Sequence, residues 1–199
     1  MSKPLILGFS GRARHGKTIC CDTIYKHARQ RGYLTQIYDI GSLIRDCAIK
    51  EGRLPDIPRK QMTREHLDVL IAVGKEKRAI SKNYWVERVL AAIAEDPPLD
   101  IALCPNLRLA FEADSWRAAG GVIVRCKRLN ADGSLFISED RPPNDVTETN
   151  LEFWPADFNL VTGPDQIEFL ERQAVALYEY LLNPQHGPIE RHYEQRRDA

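Results

Sequence analysis

Pro4-Leu-Ile-Leu-Gly-Phe9-Ser10-Gly11-Arg12-Ala13-Arg14-His15-Gly16-Lys17-Thr18 runs from a short apolar stretch into two glycines, a lysine and a threonine. A brief continuous apolar run that ends in small residues suits a strand buried on both faces of a parallel sheet. From Lys17 the apolar positions Cys20, Ile24 and Ala28 recur at helical spacing until Gly32, which can close a helix in the left-handed conformation. The order is strand, loop, helix. Backbone N–H groups in such a loop, together with the positive end of the following helix, recognise a phosphate chain, and glycines keep side chains out of its path. Gly11 and Gly16 fill those places, and Lys17 is placed to reach the β and γ phosphates. The Thr18 hydroxyl is a ligand for Mg²⁺, and Arg12, Arg14 and His15 add local positive charge around Ala13.

Working outward, strands are expected over 34–38, 100–104, 122–126 and 158–161. Helices alternate with them. One runs through Leu43, Ile44 and Cys47, one over 63–79 with Leu67, Leu70 and Ile71 inward, and one over 83–95 with Trp85, Val86, Val89, Leu90 and Ile93 inward. Another spans 110–119 and stops at Gly120-Gly121, with Trp116 on its apolar face. The last opens with Pro164 in its first turn and carries Ile167, Leu170, Ala174, Leu177 and Leu181 as one stripe. Residues 52–60 read as a surface loop and 129–147 as a lid-like loop, rich in Pro, Asp and Asn. The segment 186–199, including His192, is polar enough to remain a disordered tail. The pattern predicts an α/β fold of three layers, a roughly five-stranded parallel sheet flanked by helices, in a single domain over 1–185.

Composition narrows the function classes. The 28 Lys+Arg balance 28 Asp+Glu, so there is no global basic field to attract nucleic acid, and an anion site has to be local. Cys20, Cys21, Cys47, Cys104 and Cys126 are odd in number and lack CxxC spacing, which points to reduced, mostly buried thiols. The first apolar run is too short for a signal sequence and no stretch approaches a membrane span, so a cytoplasmic protein is expected.

The loop alone does not choose among kinases, GTPases and motor ATPases, and no Asn/Thr-Lys-x-Asp guanine motif is present. Three further segments decide. Gly74-Lys-Glu-Lys-Arg78-Ala-Ile-Ser-Lys-Asn-Tyr-Trp85-Val resembles the stretch before the third strand of deoxynucleoside monophosphate kinases of the bacteriophage type. Asn106-Leu-Arg108-Leu-Ala-Phe-Glu112-Ala, followed by Gly120-Gly121-Val-Ile-Val-Arg125, is similar to that family's D-V-R-F-x-N-E-A and G-G-x-x-I-R-V segments. Thr147-Glu148-x-x-Leu151, then Asp157 and Gly163, resembles its S-E-x-x-L, Asp and Asn-Gly series. The resemblance covers most of residues 4–182 and extends to animal-type phosphomevalonate kinases, which share the late Ser-Glu and Asp features.

The resemblance implies a P-loop fold like that of nucleoside monophosphate kinases. Lys17 and Thr18 would serve ATP and Mg²⁺, Arg78 and Arg108 would bind or bridge phosphates, and Arg125 and Arg128 would cover the donor. Arginines suit the task, because transfer between two phosphates needs positive charge to offset their repulsion. Structural roles stand beside these. Arg78 falls near a helix C-terminus, which favours any cation, and Arg125 could solvate a strand end. Asp39, just past the second strand, could meet Mg²⁺, a sugar hydroxyl or an acceptor phosphate through water, or could cap the next helix. Glu112 and Glu148 divide between substrate contact and solvated faces, and Trp154 between core and surface.

Two departures are visible. Asn106 stands where the family pattern has Asp; its amide can still accept a bond from metal-bound water but carries no charge for Mg²⁺. Pro143 and Asp145 stand where the pattern has Asp-x-His. The expectation is an ATP- and Mg²⁺-dependent kinase with a nucleoside monophosphate as acceptor, a homodimer being left open, and no membrane or nucleic-acid partner. A kinase of another phosphorylated metabolite or of a modified DNA base is the alternative, as is a nucleotide-binding sensor with little turnover.

Overall fold

The computed structural model describes residues 3–95, 98–139 and 144–183; the expected tail at 186–199 and Pro143 lie outside them. Strand β1 (Leu5–Ser10) is the centre of a five-stranded sheet whose other members are β2 (Thr35–Ile37), β3 (Ile101–Cys104), β4 (Val122–Arg128) and β5 (Phe158–Thr162). Their order is β2-β3-β1-β4-β5, and every pairing is parallel. The helices are α1 (Lys17–Gln30), α2 (Ile40–Lys50), α3 (Arg64–Ile80), α4 (Tyr84–Glu95), α5 (Ala110–Ala118), the single turn α6 (Val146–Thr149) and α7 (Ile167–Leu182).

The two-residue period of the strands sorts the core into two layers. Leu7, Phe9, Ile101, Leu103, Val122, Val124 and Cys126 face α1 and α7, where Cys20, Ile24, Ala28, Leu170, Ala174 and Tyr178 meet them. On the other face Ala102, Cys104 and Ile123 pack with Trp85, Val86 and Val89 of α4 and with Ala113 and Trp116 of α5. Trp116 can lie on the sheet because β1 offers Gly8 beneath it: a Cβ there would come within 2.8 Å of the indole nitrogen and 2.3 Å of Leu107. All five cysteines are free and four are buried, Cys47 being partly exposed. Burial pushes the Cys104 thiol up to about 12.

Several expectations need correction. On α3 Leu67 and Ile71 are 40% and 50% exposed, and the buried residues are Val73 and Gly74. The helix packs on α2 and α4, and Leu70 turns inward as expected together with Val69 and Val73, which leaves Leu67 and Ile71 on the solvent side. Helix α7 begins at Ile167, just after Gln166, so Pro164 precedes it and Ile167 is 56% exposed. Strand β4 continues to Arg128 because β5 pairs with it as far as Thr162, which puts Arg125 within the strand rather than at its end. The described part of the lid-like loop carries regular structure: Leu129 and Leu135 form an antiparallel bridge, and α6 begins before the expected loop ends. Trp154 is half-buried, with the Arg117 guanidinium 4.0 Å from its ring centroid.

Candidate active site

β1 delivers the glycine-rich loop to the carboxyl edge of the sheet. Gly11 has φ 130° and Gly16 φ 86°, conformations in which a side chain is strained. Space is closed as well, since a Cβ on Gly11 would lie 2.3 Å from the Cys126 carbonyl oxygen and one on Gly16 2.3 Å from a Leu170 methyl. Helix α1 opens on Gly16 with no side-chain cap and no acidic residue in its first turn. Its positive end is therefore left for an anion. Lys17 Nζ donates to the carbonyls of Gly11 at 2.8 Å and Arg12 at 2.7 Å, so the ammonium lies inside the curl of the loop. Thr18 is exposed and Arg14 takes a left-handed φ of 60°.

His15 is buried beneath this loop, with Nε2 2.8 Å from the Phe136 carbonyl and Nδ1 3.3 Å from the Cys126 carbonyl. A neutral imidazole has only one N–H to donate, yet both partners are acceptors. Burial lowers its pKa, the two carbonyls act in the opposite direction, and Lys17 and Arg12 lower it further. His15 thereby ties the phosphate loop to the lid-like segment. Arg128 stacks its guanidinium 4.3 Å from the Phe136 ring and shares with Arg14, Gly163 and Gln166 a crevice of about 120 Å³ beside the loop.

On the other side of β1, Asp39 and Asn106 meet. Asp39 caps α2, its Oδ1 accepting from Gly41 N at 2.6 Å and Ser42 N at 3.3 Å. The same oxygen accepts from Asn106 Nδ2 at 2.7 Å, while Asn106 Oδ1 accepts from Ile40 N at 3.2 Å. The amide oxygen assigned to the metal from sequence is thus engaged at the start of α2. Asp39 is a helix cap, and its Oδ2 is the carboxylate oxygen not used in capping. Among the described residues no group of three or more His, Cys, Asp or Glu could enclose a metal ion. The exposed Thr18 hydroxyl beside the loop nevertheless fits Mg²⁺, an ion that takes few protein ligands and is otherwise held by phosphate oxygens and water.

The arginines are held by two buried carboxylates. Arg78, on the last turn of α3, donates to Glu112 Oε1 at 3.0 Å, and Glu112 Oε2 accepts the backbone N–H of Arg108 at 3.0 Å. Arg108, between β3 and α5, donates through Nη1 to Glu148 Oε1 at 2.8 Å. Glu148 Oε2 in turn accepts Ala13 N of the phosphate loop at 2.5 Å. Arg12 pairs with Glu152 at 2.8 Å. Sequence reasoning left Glu112 and Glu148 open and passed over Glu152 and Phe136. The motif spacing around Arg108 and Glu148 was the available signal; nothing local marks Glu152.

Arg125 is partly buried on β4, where desolvation lowers its pKa. Its Nη2 donates to the carbonyls of Leu151, at 2.6 Å, and Trp154. It fastens the 151–154 segment and also borders a cavity of about 360 Å³ between the loop and α6, whose walls include Arg12, Arg108, Leu107, Leu135 and Phe153.

Solved structures share this architecture. A shikimate kinase from Acinetobacter baumannii in complex with shikimate superposes with a TM-score of 0.51 at 12% identity, covering 90% of this chain and 95% of that one. A shikimate kinase from Aquifex aeolicus gives 0.50 at 15% identity, over 89% and 98%. The chain shares the fold of these two kinases. No protein-family model matches the chain, and no curated protein matches it by sequence.

Proposed function

We propose that the chain transfers the γ-phosphoryl group of ATP to a nucleoside monophosphate, giving the diphosphate. The observation that carries the reading is the Glu148 bridge, which brings Arg108 to the phosphate loop while Glu112 brings Arg78 to Arg108. Two phosphates that react with each other need such a convergence: a loop and lysine for the donor, and guanidinium groups for the acceptor and the migrating group.

In this reading the loop amides of 13–18 and the open end of α1 hold the donor's phosphates, with Lys17 neutralising charge that develops on the bridging oxygen. Arg14, Arg128 and the Gly163-Gln166 turn receive the nucleoside part of the donor in their crevice. Thr18 would be the protein ligand of Mg²⁺, and the ion when bound supplies charge neutralisation across the β and γ phosphates. Arg108 and Arg78 hold the acceptor phosphate in line with the migrating group. Asp39 is kept in place by Asn106 and the α2 amides, and its remaining oxygen would serve the acceptor side. Positioning and charge supply the catalysis, without a covalent enzyme intermediate.

A coupled assay of ADP release with dAMP, dCMP, dGMP and dTMP, with Lys17→Ala as control, tests this. ADP formation that depends on one of these acceptors and on Lys17 is expected; ADP with none of them sinks the reading. The Asn106 amide bridge to Asp39 favours one rival, a sensor that binds nucleotide with little turnover. Tight nucleotide binding without transfer, and turnover restored by Asn106→Asp, would favour it.

A further inference from the structure

Three ion pairs or charge-assisted bonds join the 147–152 segment to the site: Glu148 with Ala13 N, Glu148 with Arg108, and Glu152 with Arg12. In each, a carboxylate meets a group suited to a phosphate. Loop amides and guanidinium forks are anion receptors, and a carboxylate oxygen presents the same acceptor chemistry as a phosphate oxygen. The segment is also anchored from behind. Arg125 grips the Leu151 and Trp154 carbonyls, Arg117 donates to the Pro155 carbonyl at 2.8 Å, and Asp157 accepts Ile123 N at 2.7 Å. Those contacts deliver Glu148 and Glu152 to the loop without drawing on the loop itself.

We propose that Glu148 couples the two substrates: its carboxylate spans the donor loop and the acceptor arginine in the resting protein, and phosphate arriving on either side displaces it. This inference rests on the assignment of the loop to the donor and of Arg108 to the acceptor. Because one carboxylate makes both contacts, the first ligand to displace it frees the second receptor as well. The second ligand then meets a receptor that Glu148 no longer occupies, and donor and acceptor bind with positive coupling. The coupling is reciprocal by thermodynamic necessity. A carboxylate that served structure alone would give the opposite sign on removal, since its loss would loosen the loop and weaken ligand binding.

Calorimetric titration of AMPPNP with Mg²⁺ tests it, alone and with saturating dTMP or inorganic phosphate, on the full chain and on Glu148→Gln. In the unaltered protein either acceptor-side probe should tighten AMPPNP by roughly fivefold, within the usual range of coupling between sites. In Glu148→Gln, AMPPNP alone should bind about tenfold tighter, the size of one charge-assisted bond no longer displaced. Its residual coupling should be under about twofold. Unchanged or weaker AMPPNP binding by a Glu148→Gln protein with native melting behaviour overturns the proposal, as does coupling that survives the substitution. Should Glu148→Gln fail to fold, Glu152→Gln removes the carboxylate charge from Arg12 and should tighten AMPPNP about threefold; no tightening overturns the proposal equally. The donor reading fails separately, if the unaltered protein does not bind AMPPNP. An effect of phosphate without one of dTMP upholds the coupling and removes only the nucleotide acceptor.

Discussion

The proposed donor side and the proposed acceptor side of the candidate site are built in opposite ways. The donor loop is eight consecutive residues, 11–18, whose shape follows from two glycines at positive φ and from the helix that starts directly after them. The acceptor side is assembled from positions far apart in the chain: Arg78 reaches Glu112 across 34 residues, and Arg108 reaches Glu148 across 40. A local device survives as a readable motif because its geometry lies in neighbouring φ and ψ angles. A device made of long-range pairs needs the whole sheet to form before any of its members has a partner.

The sharpest way to break this comparison is Lys17→Ala. It removes the charge at the centre of the local device while deleting no structural core, so kcat/KM should fall by roughly 10³-fold or more with little change in melting temperature. A comparable loss of stability would mean that the lysine serves the loop's own fold. Arg78→Ala tests the assembled side. It should lower kcat/KM by roughly 10²-fold, chiefly through the acceptor's KM, and cost about 3 kcal/mol of stability, because Glu112, 1% exposed, loses its only guanidinium partner among the described contacts. Chemical denaturation beside steady-state kinetics separates the two effects; catalytic loss without destabilisation would show Glu112 to be satisfied by the Arg108 and Leu109 amides alone.

Asn106→Asp sharpens the comparison on the side of α2. A second carboxylate would stand where the amide now donates to Asp39 at 2.7 Å, so the cap would be strained by like charge. Stability should drop by about 1 kcal/mol in chelator, the size of a lost helix cap, and recover on adding Mg²⁺. Thermal melts with and without Mg²⁺ read this directly, and a variant indifferent to the ion would remove Asp39 from any role near a metal.

Much of the fold could be read in advance, and the reasons are physical. The apolar stretches at 7–9, 101–104 and 122–124 are buried throughout, and the period of α4 matches its buried side. What escaped were features decided by neighbours. Leu67 and Ile71 are apolar positions that α3 turns outward, because the face that meets the core runs through Val69, Leu70, Val73 and Gly74. Arg125 looked like a strand end until β5 extended the pairing past it. Within the site, the loop and Arg108 were legible from spacing. Glu152 and Phe136 were not, since a carboxylate in a polar segment and a phenylalanine backbone carbonyl carry no local pattern.

The smallest effect concerns His15, where the two sides meet the lid-like segment. Burial, aided by the Lys17 and Arg12 charges, holds its pKa below the ordinary value of 6.5 despite the Phe136 and Cys126 carbonyls. The unfolded chain therefore takes up a proton first as pH falls. The stability that a neutral His15 contributes is intact above about pH 6.5 and is lost progressively below it. Urea unfolding of the protein and of His15→Gln across this range should show a shallower acid decline for the variant. An identical decline would remove His15 from the pH response.

Phosphorus NMR of a mixture of ATP, Mg²⁺, the protein and each deoxynucleoside monophosphate in turn tests the central claim most directly. The account predicts that the monophosphate resonance of one acceptor gives way to the paired resonances of its diphosphate as ATP becomes ADP, and that Lys17→Ala abolishes the change. ATP converted only to ADP and inorganic phosphate, or left intact with every acceptor, would contradict it.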